Sequence, residues 1–259
     1  MRQIILAINA LLKFKAYTLI NVLGLACSLA CVLTVARYIH QENTVNQCFP
    51  EYKRICLIKT STSSGENFLG GYRSGLEKNP DVEQFTVIYQ ISDMPALFGE
   101  QEIAANAFSV DSTFFKIFPY RVIAGSGRIV RPRDVVITRS FWKKKLGGKN
   151  AIGATFKNTK GNKFTIIGVV DDPDTKTSWM PDIFMSDELD EFLFFDPIYA
   201  MLMAPDTDIA LLNKKYSKEH PRSKWSTYET VRYQYLPLKD LYYLSSTYKC
   251  NFLGADNKQ

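Results

Sequence analysis

The chain has 259 residues, of which 46% are hydrophobic and 22% are charged, and its mean hydropathy is −0.13. These values exclude a chain built mainly of membrane helices and leave enough residues for one large or two small globular domains. The formal net charge of +6 is spread over 32 basic and 26 acidic residues, without the basic stripe interleaved with aromatic side chains that is typical of a nucleic-acid interface.

The first predicted element is an apolar run at residues 16–36, which contains no charged residue and nine Leu, Ile or Val residues. A helix rises 1.5 Å per residue, so a run of this length crosses about 30 Å of hydrocarbon. Its aliphatic side chains favour insertion by about 3 to 5 kcal/mol, whereas one central Arg or Lys would cost about 2.5 to 3.5 kcal/mol. The sequence therefore predicts a transmembrane helix over residues 16–39.

A cleaved signal sequence is the competing interpretation of this run. Signal-peptide apolar regions are about 7 to 15 residues long and end in an A-x-A-like site; this run is longer and has no such site before Arg37. A lipoprotein signal typically has an aliphatic residue three positions before its cysteine. Here that position is Gly24 before Cys27 and Ser28 before Cys31. We therefore expect an uncleaved anchor.

The orientation of this helix follows from flanking charge, which is nearly balanced. Positive residues flank the cytoplasmic end of a spanning helix, although long domains translocate largely regardless of charge. The free amine adds to the N-terminal side, so a cytoplasmic N-terminus is modestly favoured. The basic residues are Arg2, Lys13 and Lys15 before the run and Arg37, Lys53 and Arg54 after it.

Residues 1–15 carry an apolar helical face that is typical of a helix lying at the membrane surface. An N-terminal extension of the spanning helix explains the same pattern, and both interpretations stay open. Within the run, Gly24, Ser28 and Cys31 recur at i, i+4 and i+7. Small residues on one face allow another helix to approach closely, so these three form a candidate packing face, although small residues are common in membrane helices generally.

The residues after the apolar run alternate between strand and helix patterns, which predicts an α+β fold with mixed sheets and two subdomains. Turn and capping signals bound the elements, as at Asn79-Pro80, Asp111 and Gly147-Gly148. A hairpin is predicted around Lys160-Gly161-Asn162. Strands are predicted at 52–60, 82–92, 96–109 with a turn at Gly99-Glu100, 134–138, 155–159, 163–170, 180–185, 198–204 and 230–238, and helices at 67–78, 112–118, 139–146 and 206–220.

Five cysteines are present, and two of them, Cys27 and Cys31, fall inside the apolar run. The other three, Cys48, Cys56 and Cys250, form neither a CxxC motif nor a Cys/His set with metal-ligand spacing. Buried or unpaired thiols are one interpretation. The other is a disulfide of Cys250 with Cys48 or Cys56 in an oxidising compartment.

No catalytic motif is recognisable, and the chain has only two histidines, His40 and His220. Asp171, Asp172 and Asp174 suggest a calcium loop, but an EF-hand needs Gly at its sixth and Glu at its twelfth position. Counted from Asp172, those positions hold Thr and Ile. We therefore expect a strand-end turn there, no catalytic residue, no metal site and no cofactor.

Six segments resemble one family of membrane proteins. They are similar to the first membrane helix and the external domain of MacB/FtsX-type ABC transporter permeases, in the Bacteroidetes-like branch, and they occur in family order from about residue 1 to 186, with weaker similarity to about residue 245. Ala151 stands where that branch usually has proline. The segments are YTLINVLGLA at 17–26, CFPEYKRI at 48–55, VDSTFFKIF at 110–118, VVITRS at 135–140, AIGATF at 151–156 and FTIIGVV at 164–170.

The resemblance implies a cytoplasmic segment at 1–15, a transmembrane helix at 16–39, a MacB-like periplasmic core domain at 45–245, and a tail at 246–259 leading toward a second membrane helix. It also implies a non-catalytic permease of the bacterial inner membrane that dimerises or pairs with another permease. A separate cytoplasmic ABC ATPase would drive efflux or export.

Members of the resembled family have three further membrane helices and a coupling segment after this domain, and this sequence stops where the second helix would begin. We therefore expect a fragment, a truncated product, or an anchored domain that works with partner subunits. A stand-alone membrane-tethered binding or scaffold module is the alternative function. An anchored enzyme is a third reading that nothing in the sequence supports.

Overall fold

The structure, a computed structural model, describes residues 13–62, 65–67, 79–148, 151–186, 197–216, 220–221 and 230–244. The chain divides into two compact units, Met1–Thr44 and Val45–Gln259. The first unit contains helix α1, Lys15–Asn43. The second unit contains strands and short helices, so the mixed α/β class predicted from the sequence is confirmed.

Helix α1 exposes its apolar side chains throughout, and none of its residues is buried within the chain. It is the one helix in the described part of the chain that is long and apolar enough to cross a membrane. It continues beyond the predicted 16–39 because the polar residues after Arg37 are compatible with helix, and it ends where Thr44 N donates to His40 O at 3.1 Å. The surface helix predicted for residues 1–15 lies largely outside the described residues.

We expect Leu29→Arg to reduce the membrane-inserted fraction of the chain strongly. A central Arg costs about 2.5 to 3.5 kcal/mol, which cancels most of the favourable contribution of the aliphatic side chains. Carbonate extraction of membranes measures the inserted fraction, and Leu29→Phe is the uncharged control. Equal retention of both variants in the membrane pellet would contradict a spanning helix.

The second unit is organised by a long sheet with mainly antiparallel pairing. The strand order is β11-β12-β1-β10-β3-β4-β9-β6-β8-β5, with parallel pairing at β4–β9 and β6–β8. The strands are β1 Ile55–Thr62, β2 Gly65–Asn67, β3 Val82–Phe98, β4 Gln101–Val110, β5 Val122–Gly125, β6 Asp134–Thr138, β7 Thr155–Lys157, β8 Lys163–Val170, β9 Ile183–Ser186, β10 Ile198–Met203, β11 His220–Pro221 and β12 Thr230–Pro237. The helices are α2 Phe114–Ile117, α3 Arg139–Lys145, α4 Ile209–Tyr216 and α5 Leu238–Leu244.

Strand β7 closes part of this sheet into a ring. It pairs with β8 through Phe156 and Phe164 and with β3 through Lys157 and Leu97. A closed circuit of paired strands results, in which no strand has a free edge. Its order is β3, β4, β9, β6, β8 and β7. The side chains inside this circuit form a buried cluster that includes Ile91, Ala107, Ile137, Phe156, Phe164, Ile166 and Ile183.

Two further clusters complete the core. One packs α2 and the first residues of the unit against the sheet through buried aromatic side chains. The other lies between the sheet and α4 and contains Cys56, Met201 and Leu212. The aromatic cluster is continuous with residues 45–54, so the segment that follows α1 belongs to the core of the unit.

Several bounds predicted from the sequence differ from the structure. Strand β1 begins at Ile55 and not at residue 52, and strand β9 begins at Ile183 and not at residue 180. The predicted helix 206–220 is shorter, since α4 ends at Tyr216 and His220 lies in β11. Asn67, predicted to begin a helix, ends β2, while residues 68–78 lie outside the described residues. The predicted gap between strands at 93–95 is instead a bulge in β3, where Asp93 has a φ of 50°. Strand β5 and helix α5 had no clear sequence signal.

We expect deletion of residues 1–44 to leave a soluble, folded domain. The boundary between the two units lies at Thr44, and Val45 is the first residue of the second unit and is already buried. Size-exclusion chromatography and a cooperative thermal transition measure the outcome. Deletion of residues 1–54 is the comparison, because it removes buried Asn46 and Phe49 and is expected to lower the melting temperature. Aggregation of the 45–259 fragment would contradict the prediction.

Candidate functional site

The first residues of the second unit are held by Asn46, whose side chain is fully buried. Its Nδ2 donates to Ser178 Oγ at 3.2 Å and to Leu238 O at 3.1 Å, and its Oδ1 accepts from Thr177 Oγ1 at 3.0 Å and Ser178 N at 2.7 Å. Its backbone N donates to Lys176 O at 2.9 Å. We call Asn46, Lys176, Thr177, Ser178 and Leu238 the N-terminal clamp.

Asparagine suits this position for two physical reasons. A carboxamide has two donor hydrogens and two acceptor lone pairs, and all four are used here. The residue also has a φ of 63°, a left-handed conformation that Asn adopts more readily than most side chains. No other common residue combines both properties, so Asn46 fixes the chain where it enters the fold.

The N-terminal clamp continues into helix α5 through Lys176. Its Nζ donates to Tyr242 Oη and lies 4.4 Å from the centre of the Tyr242 ring. Tyr242 and Leu238 are themselves buried in the core. The loop between β8 and β9 is therefore held between the first residues of the unit and α5.

Aromatic side chains pack against the segment that follows Asn46. The Phe49 ring lies 5.0 Å from Phe118 and 5.7 Å from Tyr120, both edge-on. Tyr120 Oη donates to Trp179 O at 2.5 Å. Desolvation raises the pKa of the Tyr120 phenol well above its ordinary value, so the hydroxyl stays a neutral donor. These contacts bind the segment after Asn46 to the same β8–β9 loop.

Arg54 fixes the other end of this segment. Its Nε donates to Met203 O at 2.9 Å, and its guanidinium pairs with Glu51 at 3.1 Å and with Glu83. Met203 lies in β10 and Glu83 in β3, which are neighbouring strands. Residues 46–54 are thus attached to the core at both ends.

A pocket of about 260 Å³ lies beside Phe49. The most buried of its three acidic residues is Asp171, which pairs with Arg121 and, at 3.0 Å, with Arg139. The hydrogen bond from Arg121 lowers the pKa of Asp171, against the opposing effect of desolvation. The lining residues are Cys48, Phe49, Pro119, Tyr120, Arg121, Asp171, Asp172, Pro173 and Asp174.

The acidic segment after β8 is a loop with a bend at 174–175, and the carboxylates of Asp171 and Asp172 have structural partners. Asp172 accepts hydrogen bonds from Ser140 N at 3.2 Å and Ser140 Oγ at 2.8 Å, in the first turn of α3. Thr138 Oγ1 accepts from Phe141 N at the same helix end. Asp171 and Asp172 therefore attach α3 to the β8–β9 loop, and the described residues contain no group of three or more His, Cys, Asp or Glu side chains arranged to hold a metal ion.

We expect Asp171→Asn to lower the melting temperature at neutral pH, and the difference from the unchanged chain to shrink in acid. A carboxyl whose pKa is lowered by folding contributes stability above its unfolded pKa and loses it as the pH falls through its folded pKa. Thermal melts from neutral pH into the acid range measure this. Exposed Asp174→Asn is the control, and a pH-independent difference for Asp171→Asn would contradict the ion-pair role.

The three residues predicted to form a packing face, Gly24, Ser28 and Cys31, all lie in helix α1. In α1, a Cβ on Gly24 would meet no atom within 4 Å, and Ser28 Oγ donates to Gly24 O at 2.8 Å. The role of Gly24, Ser28 and Cys31 in helix packing stays a prediction. Sequence reasoning missed Asn46, because a buried carboxamide with a left-handed backbone has no pattern in one sequence.

The proposed disulfide stays a prediction, since Cys250 lies outside the described residues. Cys56 is fully buried in β1, and desolvation raises its pKa to about 12. Cys48 is only partly buried and lines the pocket, although burial raises its pKa as well. Access to the sulfur therefore favours Cys48 over Cys56 as the partner of Cys250.

Solved structures of other proteins share this fold. A domain described as part of a permease protein from Porphyromonas gingivalis superposes with a TM-score of 0.59 at 19% identity, covering 73% of this chain and 92% of that one. The periplasmic region of MacB from Actinobacillus actinomycetemcomitans gives a TM-score of 0.51 at 15% identity, covering 66% and 83%. No curated protein sequence matches significantly.

The sequence profile of the family described as the MacB-like periplasmic core domain matches residues 18–215. That range includes most of α1 and the strands from β1 to β10. It also contains the segments on which the sequence resemblance rests, except for their first residue, Tyr17, so the family predicted from them is confirmed. Because this match covers more than half of the chain, the chain belongs to the family of MacB-like periplasmic core domains.

Proposed function

We propose that the chain is the extracytoplasmic portion of an ABC-type efflux or export permease, and that the N-terminal clamp transmits ATP-driven motion from α1 into the domain. The observation that carries the proposal is Asn46, which ties the first residues of the domain to both the β8–β9 loop and α5. In this proposal the domain moves substrate outside the membrane and performs no chemistry itself.

The family and the apolar helix support a membrane-anchored protein with an extracytoplasmic domain. The finer assignment places 16–39 in the bacterial inner membrane, 1–15 in the cytoplasm, 45–245 in the periplasm and 246–259 in a tail leading back to the membrane. A separate cytoplasmic ABC ATPase hydrolyses ATP, and the chain works as a homodimer or with a second permease.

The short connection after α1 favours mechanical transmission. Helix α1 ends at Asn43, and Asn46 is already buried and hydrogen-bonded. A long flexible linker would absorb a displacement of α1 through its own conformational freedom. Only Thr44 and Val45 separate the helix from Asn46, so this connection has little conformational freedom. Each buried hydrogen bond contributes about 1 kcal/mol net and costs more when one partner is left unsatisfied, so the clamp resists opening under load.

The experiment combines affinity isolation with hydrogen exchange. The tagged chain is isolated from native membranes, and the co-isolated proteins are examined for an ABC ATPase. Exchange of residues 45–48 and 176–178 is then compared with and without trapped ATP. We expect an ATP-dependent change in both segments in the unchanged chain. In Asn46→Gly we expect the ATPase to remain bound and the change at 176–178 to be lost.

Two results would contradict the proposal. Isolation without any ABC ATPase would favour the stand-alone tethered binding or scaffold module. An ATP-dependent change at 176–178 that persists in Asn46→Gly would show that motion reaches the domain by another route.

A further inference from the structure

Positive charge is concentrated in one part of the domain. Residues 119–170 contain twelve Lys and Arg and a single acidic residue, Asp134, which gives a net charge of +11 in a chain whose total is +6. The rest of the chain therefore sums to −5. These residues form β5, β6, α3, β7 and β8. Such segregation produces a local positive potential that attracts an anionic partner.

The strand register places two of these cations opposite each other and the backbone of a third close to them. Lys157 and Lys163 are directly opposed across β7 and β8, and both are exposed. On the other side of β8, Thr165 N donates to Arg133 O at 2.9 Å, only two residues from Lys163. Like charges directly opposed on one sheet face are destabilising. Folding stability alone therefore does not explain why lysines occupy both of the opposed positions 157 and 163.

An exposed aliphatic side chain lies among further cations in the loop between β5 and β6. Val130 is 77% exposed and is flanked in the chain by exposed Arg128 and Arg131. Val122 and Ile152, on and beside β5, are 46% and 39% exposed. We call Arg128, Val130, Arg131, Arg133, Lys157 and Lys163 the basic patch. Among the ion pairs of the described residues, none involves a side chain of this patch.

We propose that the basic patch docks on an anionic phospholipid surface. Each Lys or Arg near such a surface contributes about 1 kcal/mol, and the patch has five. An aliphatic side chain between two arginines enters the headgroup region while the guanidinium groups reach the phosphates. Charge complementarity and the exposure of Val130 thus point to the same partner.

A protein partner fits the basic patch less well. The centres of protein interfaces are enriched in Tyr, Trp, Phe, Met and Arg and depleted in Lys. The patch contains two lysines, three arginines and one valine, with no aromatic side chain. The candidate spanning helix also keeps the chain at a membrane, where the high local concentration of lipid makes a modest affinity sufficient.

The test uses the full chain in nanodiscs of phosphatidylcholine alone or with added phosphatidylglycerol. Hydrogen exchange of residues 126–134 is expected to slow several-fold in the anionic discs at low salt, and the slowing is expected to disappear at high salt. The triple variant Arg128→Gln, Arg131→Gln, Arg133→Gln should abolish it. A control with the same charge change, Lys53→Gln, Lys116→Gln, Lys239→Gln, alters exposed cations elsewhere and should retain it.

Val130→Asn separates the aliphatic contribution from the charges, because it removes the apolar side chain without changing the net charge. It should weaken the slowing more than Val130→Ala does. Equal exchange in both kinds of disc, or slowing that persists in the arginine triple variant, would overturn the proposal. Salt-sensitive capture of an acidic protein in neutral discs, without any effect of anionic lipid, would assign the patch to a protein and also overturn it. No ATPase is present, so the result is independent of the proposed transport function.

Discussion

Replacing Asn46 by Ala is expected to destabilise the domain by about 3 to 6 kcal/mol. The substitution removes four side-chain hydrogen bonds, each worth about 0.5 to 1 kcal/mol net, and it takes away the acceptor of the buried Ser178 N. Alanine must also adopt the φ of 63°, which costs an ordinary residue about 1 to 2 kcal/mol. Urea unfolding of residues 45–259 measures the loss.

Glycine at the same position separates the two contributions. Asn46→Gly removes the same hydrogen bonds but accepts a left-handed backbone without strain, so it should recover about 1 kcal/mol relative to Asn46→Ala. Asn46→Asp keeps an acceptor for Ser178 N and loses the donors to Ser178 Oγ and Leu238 O. A loss below about 1 kcal/mol for Asn46→Ala would show that the carboxamide does not hold the chain.

The local elements were predictable wherever their determinants lie close in sequence. Asp111 was expected to cap a helix, and its Oδ1 accepts from Thr113 N at 2.9 Å and Phe114 N at 3.1 Å. Gly147 and Gly148, expected after α3, have φ values of 66° and 68°. The connection around Gly161 joins β7 and β8 as predicted. Short-range rules of capping and turn formation are sufficient at these positions.

Contacts between distant segments were not predictable. Nothing local to residues 155–157 indicates that β7 pairs with β3 as well as β8 and so closes the ring. Asp111 also accepts from Thr86 Oγ1 and Val87 N, a second role that its capping pattern does not reveal. The N-terminal clamp joins residues more than 130 positions apart, and for that reason periodicity and spacing contain no trace of it.

Replacing Gly168 by Ala is expected to cost about 3 kcal/mol or more, at the upper end of over-packing substitutions. An added Cβ would lie 1.7 Å from Ser126 O and 2.8 Å from Ser126 C. This backbone has little freedom to move, because Ser126 N donates to Ile167 O at 2.8 Å and Ser126 Oγ donates to Arg128 O at 3.0 Å. Chemical denaturation of residues 45–259 measures the effect.

Gly161→Ala is the matched control for this substitution. Gly161 has a φ of 80°, but an added Cβ would meet no atom within 4 Å, so its cost is limited to the left-handed backbone, about 1 to 2 kcal/mol. Gly168 has no such backbone strain, and its cost is purely one of space at the point where the chain after β5 crosses β8. Similar losses for the two variants would mean that the Ser126 backbone moves aside and that the crossing is not closely packed. A clearly larger loss for Gly168→Ala would explain a glycine among the apolar residues 166–170 of β8, because only a residue without a side chain permits the β5–β8 edge to form.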